Sequence, residues 1–258
     1  MKLFDAGVNL LDGRFSADEV IQRANDAGVA RLCIITTHPS EWDDAYQLYL
    51  KYPDICCYTI GVHPHNAKDV NAHGLMQLEQ LAQQKGCVAI GECGLDFNRN
   101  FSAQETQLSV FEEQLKIAVK LQKPVYLHER DAFEPQIALL RKYIPQLPNG
   151  IAHCFTGGIE EAKEYLALGL YFGITGWVCD EKRGESLRNA IACIPHDKLI
   201  FETDAPYLFP KTLKPRKRNN EPAFLPHIVE QVSDMLGVPA QQLNKSSFVN
   251  TLTLFSID

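Results

Sequence analysis

The chain has 258 residues, 45% of them hydrophobic and 22% charged, which are globular proportions with room for one large α/β barrel or two small domains. Its formal charge of −7 excludes a surface coated in nucleic acid, so a polyanion has to be met by a local cluster of cations. No apolar stretch approaches the roughly 18 residues of a membrane span, and no low-complexity tract or hinge-like run of Gly, Ser or Pro divides the chain.

From the N-terminus, "MKLFDAGVNLLDGRF" puts Asp5 inside what would be the apolar core of a signal peptide and offers no small-residue cleavage site, so the sequence reads as cytoplasmic. The first strand signal is "KLFDAGVN", followed by "ARLCIIT" (30 to 36), "ICCYTIG" (55 to 61) and "CVAIGE" (87 to 92). The second half adds "PVYLHE" (124 to 129), "GIAHCF" (150 to 155), "LYFGIT" (170 to 175) and "LIFETD" (199 to 204). These short runs are β-branched or aromatic and almost continuously apolar, as suits strands buried on both faces. Helical spacing lies between most of them. "ADEVIQRANDAG" (17 to 28) starts after Ser16 as candidate N-cap and ends on Gly28 as candidate C-cap. The clearest helix covers 103 to 122, with Leu108, Phe111, Leu115, Ala118 and Val119 on one stripe.

Eight strand signals alternating with helices predict a (β/α)8 TIM barrel, formed by residues 1–258 as a single domain. An open nucleotide-binding sheet is the weaker reading, because the first turn, "DAGVNLLDG", lacks G-x-G-x-x-G. Barrel strands converge at their carboxyl ends, so the residue that ends each run is the one to inspect. The first run carries Asp5 and Asn9, the third leads into His63 and His65, and the fourth and fifth end at Glu92 and His128. The sixth contains His153 and the eighth ends at Asp204. A divalent cation explains why imidazoles and carboxylates gather in a partly dehydrated mouth without repulsion or stranded charge. The eight cysteines include no C-x-x-C pair, and Cys33, Cys56, Cys57, Cys87 and Cys154 fall inside apolar runs, so reduced and mostly buried thiols are expected. Cys93, Cys179 and Cys193 lie outside such runs or at their edges.

"GVHPH", "AIGECGLDFNRNFS", "HERDA", "AHCFTG", "GITGWVCDEKRG", "ETDAPYL" and "NEPAFLPHI" together resemble the TatD family of metal-dependent deoxyribonucleases, from about residue 4 to the end. The resemblance implies an amidohydrolase-like barrel that hydrolyses phosphodiester bonds. It implies action on single-stranded DNA, and RNA, from the 3′ end, in DNA repair or degradation. It also implies that Glu92, His128 and His153 are metal ligands, that Asp204 binds metal or takes the proton from the attacking water, and that His63 lines the substrate end of the pocket. Relatives commonly carry D-x-H-x-H on the first strand, whereas this chain reads Asp5-Ala6-Gly7-Val8-Asn9, which argues against a tightly held second metal. The family favours Mg2+ for turnover. One well-bound Mg2+ is expected, with a second arriving with the phosphate, although two His and a carboxylate also suit Zn2+ or Mn2+.

Contacts to a single strand are expected from "KTLKPRKRNNE" (211 to 221), with Arg216, Lys217 and Arg218, and from Arg99, Arg130 and Arg183 on other loops. Trp177 and Tyr207 are candidates for base stacking, while Phe97 and Phe101 read better as loop packing. His65 is either a phosphate contact or a turn residue after Pro64. Nothing in the sequence marks an obligate protein partner, and a monomer is expected. A small-molecule amidohydrolase is the alternative, weakened by the absent first-strand imidazoles and the basic loop.

Overall fold

In the computed structural model, which describes residues 2–257, eight parallel strands pair in chain order. They are β1 (Leu3–Val8), β2 (Val29–Ile34), β3 (Cys56–Ile60), β4 (Cys87–Asp96), β5 (Val125–Arg130), β6 (Gly150–Ala152), β7 (Tyr171–Ile174) and β8 (Leu199–Phe201). The seam between first and last strands is joined just beyond β8. Val8 bridges to Ala205, the Asn9 amide donates to the Ala205 carbonyl at 2.8 Å, and the Asp204 amide to the Gly7 carbonyl at 2.9 Å. The sheet is thereby a nearly closed barrel, as the alternation of signals predicts.

Nine helices among the described residues surround or close it: α1 (Ala17–Asp26), α2 (Trp42–Lys51), α3 (Ala72–Leu81), α4 (Gln104–Leu121), α5 (Phe133–Tyr143), α6 (Ile159–Ala167), α7 (Glu185–Ile191), α8 (Leu225–Leu236) and α9 (Ala240–Phe255). Ser16 precedes α1 in an extended conformation but makes no side-chain cap bond, and the helix ends two residues short of Gly28. In α4 the stripe faces inward as expected, with Phe111, Leu115 and Ala118 buried, and the left-handed Gln122 closes the helix where glycine is commoner.

Strand periodicity sorts the core into two layers. Leu32, Ile34, Cys56 and Tyr58 point outward into the layer shared with the helices, while Phe4, Ala6, Cys33, Ile35, Cys57 and Ile151 fill the barrel. Leu254 and Phe255 at the end of α9 complete that inner layer, with the Phe255 ring 6.1 Å from Phe4. All eight cysteines are free; Cys93 and Cys179 are buried along with most of the others, and Cys193 is exposed. The amino end of the barrel is therefore packed with apolar side chains, and the polar residues collect at the opposite mouth.

Candidate metal centre

Glu92 owes its position to a local irregularity of β4. Gly91 pairs with Tyr126 and Cys93 with Leu127, so Glu92 is an extra residue without a partner on β5, which turns its amide toward the Thr36 carbonyl, 3.0 Å away. Gly91 sits at φ +150° with Tyr126 so close that a Cβ would stand 2.4 Å from its carbonyl oxygen, and only glycine satisfies both demands. β4 also runs four residues past the expected end at Glu92, so Asp96 comes up on the same face.

Three imidazoles surround the Glu92 carboxylate. Oε1 lies 2.8 Å from His128 Nδ1, 3.5 Å from His63 Nε2 and 3.9 Å from His153 Nε2. His63, Glu92 and His128 each offer one ligand atom within 4.8 Å of the others, a set able to hold a metal ion. Asp204 joins from beyond β8, with Oδ1 3.7 Å from His153 Nε2 and accepting from Asn9 Nδ2 at 2.9 Å. The His128 Nε2 atom is buried and has no hydrogen-bond partner among the described residues. A bare ring nitrogen beside carboxylates fits a cation or a substrate group better than a finished protein core.

The charges of this cluster are mutually dependent. Burial works against the Glu92 carboxylate, but His63, His153 and His128 outweigh it and hold the group well below the usual range. Burial also opposes charge on His153, yet Glu202, Glu92 and Asp204 push its pKa up to about 10. Desolvation lowers His128 as well, but the Asp96 carboxylate 3.6 Å from Nε2 and the Glu92 carboxylate bonded to Nδ1 prevail and raise it to about 9. His63 goes the other way, to about 3, through burial and the neighbouring His128. Burial raises Asp204 to about 7, with His153 opposing and Glu92 adding to the shift.

The other candidates separate into distinct groups. His65 Nε2 lies 2.6 Å from Asp96 Oδ2, and its ring stands between those of His63 and Phe101 at the mouth. Arg99, Arg130, Arg216 and Arg218 are exposed and make no carboxylate pair among the described residues. Arg183 is engaged, donating to Asp180 at 2.6 Å and lying over the Trp177 ring, and Lys217 sits 3.4 Å from Glu221. Trp177 is half-buried beneath that guanidinium, whereas Tyr207 is 49% exposed. Phe101, expected to pack in its loop, is 56% exposed. Asp5 faces away from the cluster, accepting from the Thr203 amide at 2.8 Å and hydroxyl at 2.5 Å.

Asp96, Tyr126 and Glu202 stand at the site without having been candidates by sequence. Asp96 carried a signal, since it continues the period-2 face of Glu92 and Gly94, and Glu202 carried one as a carboxylate ending an apolar run. Tyr126 carried none.

The whole barrel, and not the mouth alone, matches a known family: residues 4–256 fit TatD related DNase. The chain belongs to this family. Among curated relatives, the 3'-5' ssDNA/RNA exonuclease TatD of Erwinia tasmaniensis is 46% identical, across 99% of this chain and 100% of that protein. The protein of the same name from Pectobacterium atrosepticum is 47% identical over the same shares. Among solved structures, YJJV, a TatD homologue from Escherichia coli K12, superposes with a TM-score of 0.90 at 27% identity, covering 99% of this chain and 98% of that one. A TatD family hydrolase from Entamoeba histolytica gives 0.88 at 26% identity, with 98% of each chain covered. The phosphotriesterase homology protein of Escherichia coli shares the fold alone, at 13% identity and a TM-score of 0.67, over 91% of this chain and 88% of that one. No helix among the described residues is long and apolar enough to cross a membrane.

Proposed function

We propose that the protein is a divalent-metal-dependent nuclease that hydrolyses phosphodiester bonds of single-stranded DNA and RNA from the 3′ end, with Mg2+ as its working ion. The observation that carries this reading is the Glu92 carboxylate ringed by three imidazoles with Asp204 beside them, in a chain 46% identical to a 3'-5' ssDNA/RNA exonuclease TatD. Glu92, His128 and His153 hold the cation, with Asp204 as a fourth group. His63 is left out of the ligand set because its Nδ1 already accepts the His65 amide at 3.1 Å. That bond puts the neutral ring's proton on Nε2 and removes that atom's lone pair from coordination.

A cation held there would supply positive charge to the scissile phosphate and would acidify water. The remaining steps fall to the chain's own groups. Asp204 takes the proton of the attacking water, its carboxylate held in place by the bond that Asn9 Nδ2 donates to Oδ1. His63 presents Nε2–H to a phosphate oxygen as a neutral donor, since its low pKa keeps a second proton off the ring. His65, held by Asp96 at the rim, is the contact for the next phosphate in this reading. Arg99, Arg130, Arg216 and Arg218 meet the backbone, and Tyr207 offers a face to an unpaired base. One strand end needs only such a small footprint, which is compatible with a net charge of −7.

Chelated protein incubated with single-stranded oligonucleotides, blocked at either end, tests the reading. Cleavage is expected to return with Mg2+ and to stop at a 3′ block. No cleavage with any divalent ion, alongside turnover of a panel of amides and lactones, would replace the nuclease reading with the amidohydrolase one.

A further inference from the structure

Behind the metal-facing edge of His153 lies a polar assembly that the reaction outlined above does not use. His153 Nδ1 is 2.8 Å from Glu202 Oε1 and 2.7 Å from the Tyr126 hydroxyl, which donates to Glu202 Oε2 at 2.6 Å. The Cys154 amide also donates to Glu202 Oε1, at 2.5 Å. Glu202 and Tyr126 are fully buried, and His153 is 6% exposed.

Two glycines leave the space these side chains fill. A Cβ on Gly7 of β1 would stand 2.0 Å from the Tyr126 hydroxyl oxygen, and one on Gly173 of β7 would stand 2.0 Å from Glu202 Oε1. Both contacts are with groups locked by hydrogen bonds inside a packed barrel, where no side chain larger than hydrogen fits without displacing them.

The donors can be counted. A carboxylate only accepts, and the single hydroxyl proton of Tyr126 goes to Glu202. The hydrogen in the 2.7 Å contact between His153 Nδ1 and the Tyr126 oxygen, with Glu202 Oε1 2.8 Å away, is therefore the imidazole's own, on Nδ1. A neutral ring protonated there has its lone pair on Nε2, the atom that faces Glu92 Oε1 at 3.9 Å and Asp204 Oδ1 at 3.7 Å.

We propose that Glu202 and Tyr126 are positioning residues that hold His153 with its proton on Nδ1 and aim Nε2 at the cation, and that Gly7 and Gly173 are the spaces that admit them. The inference rests on the metal reading of the site. It also gives this chain's Gly7 a physical purpose, since the hydroxyl of a β5 tyrosine occupies the volume that a first-strand side chain would take.

Mn2+ binding measured by calorimetry, without substrate, separates the two readings. Native protein that binds no Mn2+ would sink the metal reading itself. With native binding established, Glu202→Gln and Tyr126→Phe are each expected to weaken Mn2+ affinity about 10-fold or more, with circular dichroism and melting temperature close to native. In Zn2+-loaded protein labelled with 15N-histidine, His153 is expected to show a protonated Nδ1 that exchanges faster in both variants. Native affinity in both variants, or a His153 ring protonated on Nε2, would overturn the proposal while leaving the nuclease reading in place.

Discussion

Asn9 donates from Nδ2 to Asp204 Oδ1 at 2.9 Å, across the seam where the first strand meets the segment after the last. The same amide group reaches the Ala205 carbonyl at 3.3 Å, so one side chain both closes the barrel and orients the proposed base. Asp204→Asn should keep the fold and lower kcat about 100-fold or more, because the proton acceptor is lost. Asn9→Ala should cost less, roughly 10-fold, the worth of one hydrogen bond to a charged group. Steady-state rates together with circular dichroism check both, and a fully active Asp204→Asn enzyme contradicts the assignment.

Charge on the 211 to 221 loop should matter unevenly. Lys211 lies 2.6 Å from Asp180 and Lys217 is 3.4 Å from Glu221, whereas Arg216 and Arg218 are free of carboxylates among the described residues. Arg216→Ala with Arg218→Ala should raise KM for oligonucleotides and flatten its dependence on salt, by a slope of about one for each phosphate no longer neutralised. Lys217→Ala alone should do little. An unchanged salt slope in the double variant means that this loop does not touch the substrate.

Phe101 meets the His65 ring edge-on at 4.8 Å and keeps 56% of its surface exposed at the rim. An aromatic held there is placed to stack on a base of the incoming strand, and such stacking is worth about 1–3 kcal/mol. Phe101→Ala should therefore raise KM about tenfold on single strands with little effect on kcat. Equal KM values for native and variant enzymes would return Phe101 to a packing role.

Asp5 gives the fold a pH dependence of its own. Burial lifts its carboxyl from 3.8 to about 7, against the opposing bonds from Thr203 and Gly7. The folded state thus holds a proton that the unfolded chain releases, so this group's contribution is fully present below pH ~4 and is lost as pH rises through about 7. Each unit of that interval is worth at most about 1.4 kcal/mol. Asp5→Asn is neutral throughout, so its stability relative to native should improve as pH rises from about 4 to about 7 and level off above that. Urea unfolding across that range tests this, and a difference that does not vary with pH would refute it.

Local pattern was enough for the barrel. Apolar runs at strand spacing, separated by amphipathic stretches, leave few ways to bury both faces of eight strands, and the residues ending those runs had to converge because parallel strands share a direction. Glu92, His128, His153 and Asp204 were legible for that reason, and His63 with them. Which atoms face each other was not legible, because it depends on side chains brought together from strands distant in the sequence. Asp5 and Glu202 are both carboxylates inside apolar strand signals, yet one secures Thr203 and the other His153. Only packing decided that Tyr126 fills the space over Gly7, that Arg183 is spent on Asp180, and that Phe101 stands in solvent, since period reports which face a residue takes and nothing about what the opposite wall presents.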